Sequence, residues 1–175
     1  MSKVSLSKDE LLELQRTTSL TEAQVLRLHK RFTKLDRNNT GYISSKEFSS
    51  TPVLESNPLV GRVFAVMDVN GDKNLHFAEF IKAFSVFSYQ ADKKEKLLFA
   101  FKIYDIDGDG KISNKDLYQA LRTMVGANLT AMQLQQVVDK TFIEVDTDRD
   151  GYISFENFEA LANSGHFLDR LNLNF

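Results

Sequence analysis

One stretch of sequence decides how this chain folds: residues 105–116 read DIDGDGKISNKD. Carboxylates stand at the first, third, fifth and twelfth positions, and Gly110 stands at the sixth. A hard divalent cation such as Ca²⁺ takes about six to eight oxygen ligands, which a twelve-residue loop supplies from positions 1, 3, 5, 7, 9 and 12. Gly110 permits the sharp turn between them, and Ile112 at the eighth position can pair with a partner loop. We therefore predict that residues 105–116 form a cation-binding loop.

The same pattern recurs three more times along the chain. Stretches 36–47, 68–79 and 146–157 follow it, so that successive loops start 32, 37 and 41 residues apart. The intervals carry apolar residues at three- and four-residue spacing and helix start signals, such as TEAQ at 21–24 and TAMQ at 130–133. Four loops flanked by helices identify the EF-hand. We predict an all-α fold of four EF-hands in two paired lobes, with short β-bridges between paired loops.

The helical periodicity weakens between the second and third loops, which indicates a boundary there. We expect five segments: an N-terminal segment with a short helix at 1–20, an EF-hand pair at 21–88, a linker at 89–94, a second pair at 95–164 and a tail at 165–175.

The predicted metal ligands are the side-chain oxygens at positions 1, 3, 5 and 12 and the carbonyl oxygen at position 7. In loops 1 to 4, numbered along the chain, they belong to Asp36, Asn38, Thr40, Tyr42 and Glu47; Asp68, Asn70, Asp72, Asn74 and Glu79; Asp105, Asp107, Asp109, Lys111 and Asp116; and Asp146, Asp148, Asp150 and Tyr152. The chain is thus expected to bind up to four Ca²⁺ ions.

Each loop departs from the ideal pattern in its own way. Loop 1 has only two ligand carboxylates, and in loop 2 Lys73 replaces the turn glycine, at a cost of about 1 kcal/mol for left-handed backbone. Asp116 is one methylene shorter than glutamate, so loop 3 is expected to tolerate Mg²⁺. Asn157 leaves loop 4 without a charge at position 12, and we expect loop 4 to be the weakest site.

Composition excludes several other classes of protein. The 175 residues include no cysteine, which rules out disulfides and thiolate metal sites and suits the cytoplasm. A net charge of −2 does not favour nucleic acid, and no apolar run is long enough to cross a membrane. Because the sequence has no phosphate-binding glycine loop, serine elbow or HExxH motif, we expect no catalytic residues and no enzyme activity.

Phenylalanine is abundant, with 14 residues. Four of them, Phe77, Phe80, Phe84 and Phe87, follow one another at helical spacing after loop 2, and Phe99 and Phe101 precede loop 3. Such a stripe packs into a core or lines a groove for an apolar helix. The density of aromatic residues favours a groove filled by a permanent partner, because an exposed patch would promote aggregation.

Beyond the loops, the sequence resembles the calcineurin regulatory B subunit family. The resemblance lies in KRFTKLD at 30–36, NPLV at 57–60, KLLFAFKIYD at 96–105, MVGANL at 124–129 and QLQQVVDKT at 133–141. It implies a regulatory protein that holds a helix of the catalytic A subunit in its groove and makes that Ser/Thr phosphatase responsive to Ca²⁺. It also implies that Leu121, Met124, Val125 and Asn128 contribute to a surface shared with the A subunit, where substrates dock.

One departure from the family and two alternative functions follow from the sequence. Family members commonly begin Met-Gly and are N-myristoylated, whereas Met1-Ser2 offers no acceptor glycine, so no lipid anchor is expected. The first alternative is a calcineurin homologous protein bound to a membrane exchanger, which residues 8–16 resemble somewhat. The second is a free Ca²⁺ sensor or buffer, a protein that needs no groove lined by phenylalanine.

Overall fold

The computed structural model describes residues 6–52, 54–88 and 91–163. Within these ranges the helices are α1 Lys8–Thr18, α2 Glu22–Leu35, α3 Ser45–Ser49, α4 Val60–Met67, α5 Phe77–Val86, α6 Lys93–Tyr104, α7 Asn114–Val125, α8 Ala131–Val145 and α9 Phe155–Asn163, and the strands are β1 Tyr42–Ser44 and β2 Asn74–His76. The predicted all-α fold with short β-bridges is confirmed. No helix in these ranges combines the length and apolarity needed to span a bilayer.

The chain divides into two compact units between Asp92 and Lys93. Because α6 begins at Lys93, the last two residues of the linker expected at 89–94 are helical. The tail expected at 165–175 lies outside the described residues, as do residues 1–5 and 89–90 of the expected N-terminal segment and linker.

Paired loops are joined through their eighth residues in both units. In the first unit, β1 and β2 are antiparallel, and Ile43 lies opposite Leu75 with both side chains fully buried. In the second unit, the N–H of Ile112 donates to the carbonyl of Ile153 at 3.0 Å, and the reverse bond is 2.9 Å. The buried apolar side chain at the eighth position of each loop thus anchors the paired loops in the core of their unit.

Aromatic rings fill the core of the first unit. The ring of Phe80 lies 5.5 Å from that of Phe32 and 4.5 Å from that of Phe84, and Phe48 meets Phe64 at 5.5 Å. Phe80 is 1% exposed, so its whole ring is removed from water. This side chain of α5 therefore ties the helix to α2.

Helix α1 covers part of the phenylalanine stripe. It packs on α2 and α5, where Leu11, Leu14 and Phe77 lie against a buried cluster that includes Val25 and Ile81. Its start is stabilised by Ser7, whose Oγ accepts the backbone N–H of Glu10 at 3.2 Å. Phe77 is therefore packed by a helix of its own chain.

The second unit is built around Phe101, which is 2% exposed. Its ring lies 5.7 Å from Phe155 and 5.6 Å from Phe158, so α6 packs on α9. Among the phenylalanines of the predicted stripe, only Phe87 is exposed, at 42%. Phe80 is core and Phe77 and Phe84 are half-buried, so the stripe contributes to the core of the first unit, while the groove for a partner helix stays a prediction.

Candidate metal centres

Each helix that enters a loop ends in the same way. The backbone N–H of the first loop residue donates to the carbonyl of a phenylalanine four residues earlier: Asp36 to Phe32 at 2.9 Å, Asp68 to Phe64 at 2.9 Å, Asp105 to Phe101 at 3.0 Å and Asp146 to Phe142 at 2.9 Å. The helix end thus fixes the first predicted ligand. The F-x-x-x-D spacing recurs before all four loops in the sequence and marks where each entering helix ends, a signal beyond the pattern of oxygen ligands.

The first aspartate also closes each loop through its side chain. Its Oδ2 accepts the N–H of the sixth residue, with Asp36 bonded to Gly41 at 2.8 Å, Asp68 to Lys73 at 2.9 Å, Asp105 to Gly110 at 3.0 Å and Asp146 to Gly151 at 3.0 Å. In each loop, the carboxylate of the first residue therefore holds the sixth residue close and keeps the loop folded around the predicted metal position.

The four loops share one backbone conformation. At position 6, φ is positive in every loop, including Lys73 at 64°. Position 4 is left-handed as well, and there Asn39, Gly71, Gly108 and Arg149 have φ values of 54°, 72°, 75° and 58°. The ligand pattern did not predict the left-handed backbone at position 4, although Gly71, Gly108 and Asn39 are residue types that adopt it readily; Arg149 is the exception among the four.

Replacing Lys73 with glycine is expected to stabilise the first unit by about 1 kcal/mol, because the strain of a Cβ in left-handed backbone disappears. Urea unfolding of the full chain measures the change. The matched control is Lys82→Gly, at an exposed position of α5, which should instead cost about 1 kcal/mol. A less stable Lys73→Gly protein would contradict the strain argument.

A glutamate at position 12 spans its loop. Glu47 Oε1 accepts the N–H of Asn38 at 3.1 Å, while Oε2 accepts the N–H and Oγ–H of Ser44 at 2.9 and 2.6 Å. Burial by itself raises the pKa of Glu47, but the bonds from Ser44, Asn38 and Arg37 outweigh it and leave the pKa below its usual value. Loop 1 therefore holds an ionised carboxylate across its opening. Glu79 makes the equivalent bonds in loop 2, from Asn70 at 3.2 Å and His76 at 3.0 Å.

The shorter residues at position 12 also hydrogen-bond to the start of the exiting helix, as Glu47 and Glu79 do. Asp116 Oδ2 accepts the N–H of Ser113 at 3.0 Å, and Asn157 Oδ1 accepts the N–H of Ser154 at 3.0 Å, so both cap their exiting helices. The Nδ2 group of Asn157 donates to Thr147 Oγ1 at 3.1 Å. An amide that presents N–H donors to its own loop cannot give a cation the second oxygen that a glutamate offers.

Replacing Asn157 with glutamate is expected to tighten Ca²⁺ binding by loop 4 about tenfold, because the change adds a charge and a second ligand oxygen. The shift of the Gly151 amide in ¹⁵N NMR spectra, followed during a Ca²⁺ titration, reports on this loop alone. Ala160→Glu places the same charge at an exposed position farther along α9 and serves as the control. An unchanged midpoint for Asn157→Glu would count against position 12 as the weakness of loop 4.

The aspartates of the second unit fit a Ca²⁺ ion in spacing and in chemistry. One carboxylate oxygen from each of Asp105, Asp107 and Asp109 lies within 4.8 Å of the others, and Asp146, Asp148 and Asp150 form an equivalent group. Oxygens on opposite sides of a Ca²⁺ ion lie about 5 Å apart, since each Ca–O distance is about 2.3–2.6 Å. Oxygen-only donors suit a hard cation.

Several predicted ligands are buried charges. Asp36 and Glu47 are 7% exposed and Asp116 is 4% exposed. In the described ranges, none of these three carboxylates forms an ion pair with a basic side chain. These carboxylates are hydrogen-bonded but no positive charge balances them, and a bound cation would therefore stabilise the arrangement.

In the first unit, some predicted ligands contact one another or a neighbouring side chain. Thr40 Oγ1 lies 3.0 Å from the Tyr42 carbonyl oxygen and 3.2 Å from Asp36 Oδ1. His76 Nε2 lies 2.9 Å from Asp72 Oδ2, and this hydrogen bond lowers the pKa of Asp72. A cation entering these loops would replace these contacts.

The residues expected at the partner surface gather at the end of α7. Leu121, Met124 and Val125 are half-buried there, and Asn128 is exposed just beyond the helix. Arg122 Nη1 donates to the Leu129 carbonyl at 3.1 Å and so holds this turn against the helix.

Comparison with known proteins agrees with the assignment of loops 3 and 4. The family model described as an EF-hand domain pair matches residues 94–162, which contain both of them. The calcineurin B subunit of Naegleria gruberi is 54% identical over 88% of this chain and 87% of that protein. The Schizosaccharomyces pombe protein of the same name is 48% identical over 95% and 97% of the two chains. The human calcineurin B subunit of type 2 is 54% identical over 79% and 82%.

Identity at this level extends far outside the loops and covers most of each relative, which is more than a shared EF-hand fold requires. All three relatives carry the same name, apart from the type number of the human protein. The chain belongs to the calcineurin B subunit family.

Proposed function

We propose that this chain is the Ca²⁺-binding regulatory subunit of a Ca²⁺-dependent Ser/Thr protein phosphatase. The observation that carries the proposal is that the loops hold carboxylates that are buried, or that cluster around the metal position of their own loop. Ca²⁺ held by the predicted ligands, from Asp36 to Tyr152, would balance their charge. Members of the family are regulatory rather than catalytic subunits, and the phosphatase chemistry belongs to the partner.

Up to four ions would bind, with unequal affinities. Loop 3 offers four carboxylates, and its short Asp116 favours the six-coordination that Mg²⁺ also accepts. Loop 4 has one carboxylate more than loop 1, but its position 12 is the neutral Asn157, so it fills last. The residue at position 12 thus outweighs the number of ligand carboxylates in this order of filling.

The proposed partner is the catalytic A subunit, which contributes an amphipathic helix to an apolar groove. Support comes from the names of the relatives and from large apolar side chains that are exposed in both units, among them Phe87 at 42% and Val137 at 44%. Such side chains favour cover by another protein. A further contact with that subunit is proposed at the end of α7, through Leu121, Met124, Val125 and Asn128. The proposed location of the complex is the cytoplasm.

Reconstitution tests this function. The full chain is mixed with the catalytic subunit from the same source, and phosphatase activity is measured against free Ca²⁺ and in chelator. Activity that requires both the chain and Ca²⁺ is the expected result. A catalytic subunit that is fully active without the chain would refute the proposal. Stable binding to a membrane exchanger instead would favour the calcineurin homologous protein, and binding to neither would favour a free sensor or buffer.

A further inference from the structure

The side chain of Lys111 reaches from loop 3 into loop 4. Its Nζ lies 3.4 Å from Asp150 Oδ2 and 4.8 Å from the centre of the Tyr152 ring. The backbone of Lys111 remains part of loop 3, where its N–H donates to Asp109 Oδ1 at 2.8 Å. A single residue therefore contributes its carbonyl to one predicted metal site and its charge to the neighbouring one.

The pairing of the loops places Lys111 there. The two hydrogen bonds between Ile112 and Ile153 hold the loops in antiparallel register, with Lys111 and Tyr152 next to the paired residues. The ring of Tyr152 then lies within cation–π distance of the ammonium group. The pairing of the loops thus brings the backbones of Lys111 and Tyr152 near each other, within reach of the lysine side chain.

Asp150 has both carboxylate oxygens engaged. Oδ1 accepts the N–H of Tyr152 at 2.9 Å, and Oδ2 faces Lys111. Asp150 supplies one of only three ligand carboxylates in loop 4, since position 12 is the neutral Asn157. An ion entering loop 4 would therefore compete for Asp150 with an ammonium group that lies within ion-pair distance of it.

We propose that Lys111 lowers the affinity of loop 4 for divalent cations, because its ammonium group competes with the bound ion for Asp150. Loop 4 would then fill after loop 3 for two independent reasons, the neutral Asn157 and this lysine. The inference rests on the proposed Ca²⁺ binding by loop 4.

The expected effect is modest, because both side chains are partly exposed, at 48% and 41%. Ion pairs of this kind change equilibria by roughly two- to fivefold, and salt screens them. In Lys111→Met, which retains a long apolar side chain beside Tyr152, loop 4 should bind Ca²⁺ about two- to fivefold more tightly at low ionic strength.

The test is a Ca²⁺ titration of the ¹⁵N-labelled full chain, with the Gly110 and Gly151 amides as separate reporters of loops 3 and 4. Lys111→Arg keeps the charge and should behave like the original chain, and Lys115→Met removes an exposed lysine of α7 as the matched control. The Gly151 midpoint should fall only in Lys111→Met, and the difference should shrink in about 1 M KCl, where the Debye length is about 3 Å.

Two results would overturn the inference, and they are distinguishable. If Gly151 responds to Ca²⁺ with the same midpoint in Lys111→Met and in the original chain, Lys111 does not compete, while the Ca²⁺ assignment of loop 4 stands. If Gly151 is silent in every variant while Gly110 titrates, the Ca²⁺ assignment of loop 4 itself is wrong, and the inference fails with it.

Discussion

Replacing Glu47 with glutamine is expected to weaken Ca²⁺ binding by loop 1 by at least about 10- to 100-fold. A loss of this size follows the removal of a residue that only supports a metal ligand, and Glu47 is predicted to be a ligand itself. Loop 1 has only two ligand carboxylates, so the substitution removes half of its charge. Both oxygens of Glu47 also accept backbone N–H groups, from Asn38 and from Ser44. A glutamine must place its own NH₂ against one of those donors, which disturbs the loop further.

The Gly41 amide reports on this loop, because it donates to Asp36 Oδ2. Its midpoint in a Ca²⁺ titration followed by NMR should rise in Glu47→Gln, while the Gly110 midpoint stays unchanged. Glu55→Gln removes the same charge from an exposed position of the first unit and should leave Gly41 within about twofold of the original chain. A Gly41 midpoint that also stays within twofold in Glu47→Gln would exclude Glu47 as a principal ligand.

Without Ca²⁺, the same substitution should make stability less dependent on pH. Since the pKa of Glu47 is below its ordinary value of 4.5 in the folded chain, the ionised form stabilises the fold above that value. This contribution is lost as the pH falls through the lowered pKa. The stability difference between the original chain and Glu47→Gln, measured by urea unfolding in chelator, should therefore be present at neutral pH and disappear in acid.

Replacing Phe80 with alanine is expected to destabilise the first unit by about 3–5 kcal/mol, the usual cost of removing a buried phenylalanine ring. Phe80 is 1% exposed, and its ring contacts those of Phe32 and Phe84. Phe80 directly follows Glu79, so the cavity would also loosen the start of α5, where the last ligand of loop 2 lies.

Unfolding of the full chain in urea, with Gly41 and Gly110 as NMR reporters of the two units, measures this effect. The Gly41 transition should move to much lower urea concentration. Phe87→Ala, at a position that is 42% exposed, is the control and should cost far less. A Phe80→Ala protein as stable as Phe87→Ala would show that the ring does not hold α5 in place.

Much of each candidate site could be predicted from the sequence because its ligands lie within twelve consecutive residues. The predicted ligands Asp105, Asp107 and Asp109 are brought together by one turn, and the structure places their oxygens within 4.8 Å of each other. Lys73 was expected to be left-handed, and its φ is 64°. Local patterns of this kind need no knowledge of distant residues.

The contribution of α1 could not be predicted in the same way. Its amphipathic pattern indicated a helix but not a partner, and an apolar stripe such as Phe77 to Phe87 is equally compatible with a core and with a groove. The structure shows Phe77 and Leu11 against one buried cluster, so a helix of the same chain covers what the sequence left open to a partner.

By itself, the sequence determined that this chain carries four oxygen-lined loops between helices, because loop chemistry and helix periodicity are local. Tertiary structure alone decided which phenylalanines are core and that Lys111 lies beside Asp150, 39 residues further along the chain. Contacts between distant residues depend on how two loops pair and how helices pack, and the residue spacing within a single segment predicts neither.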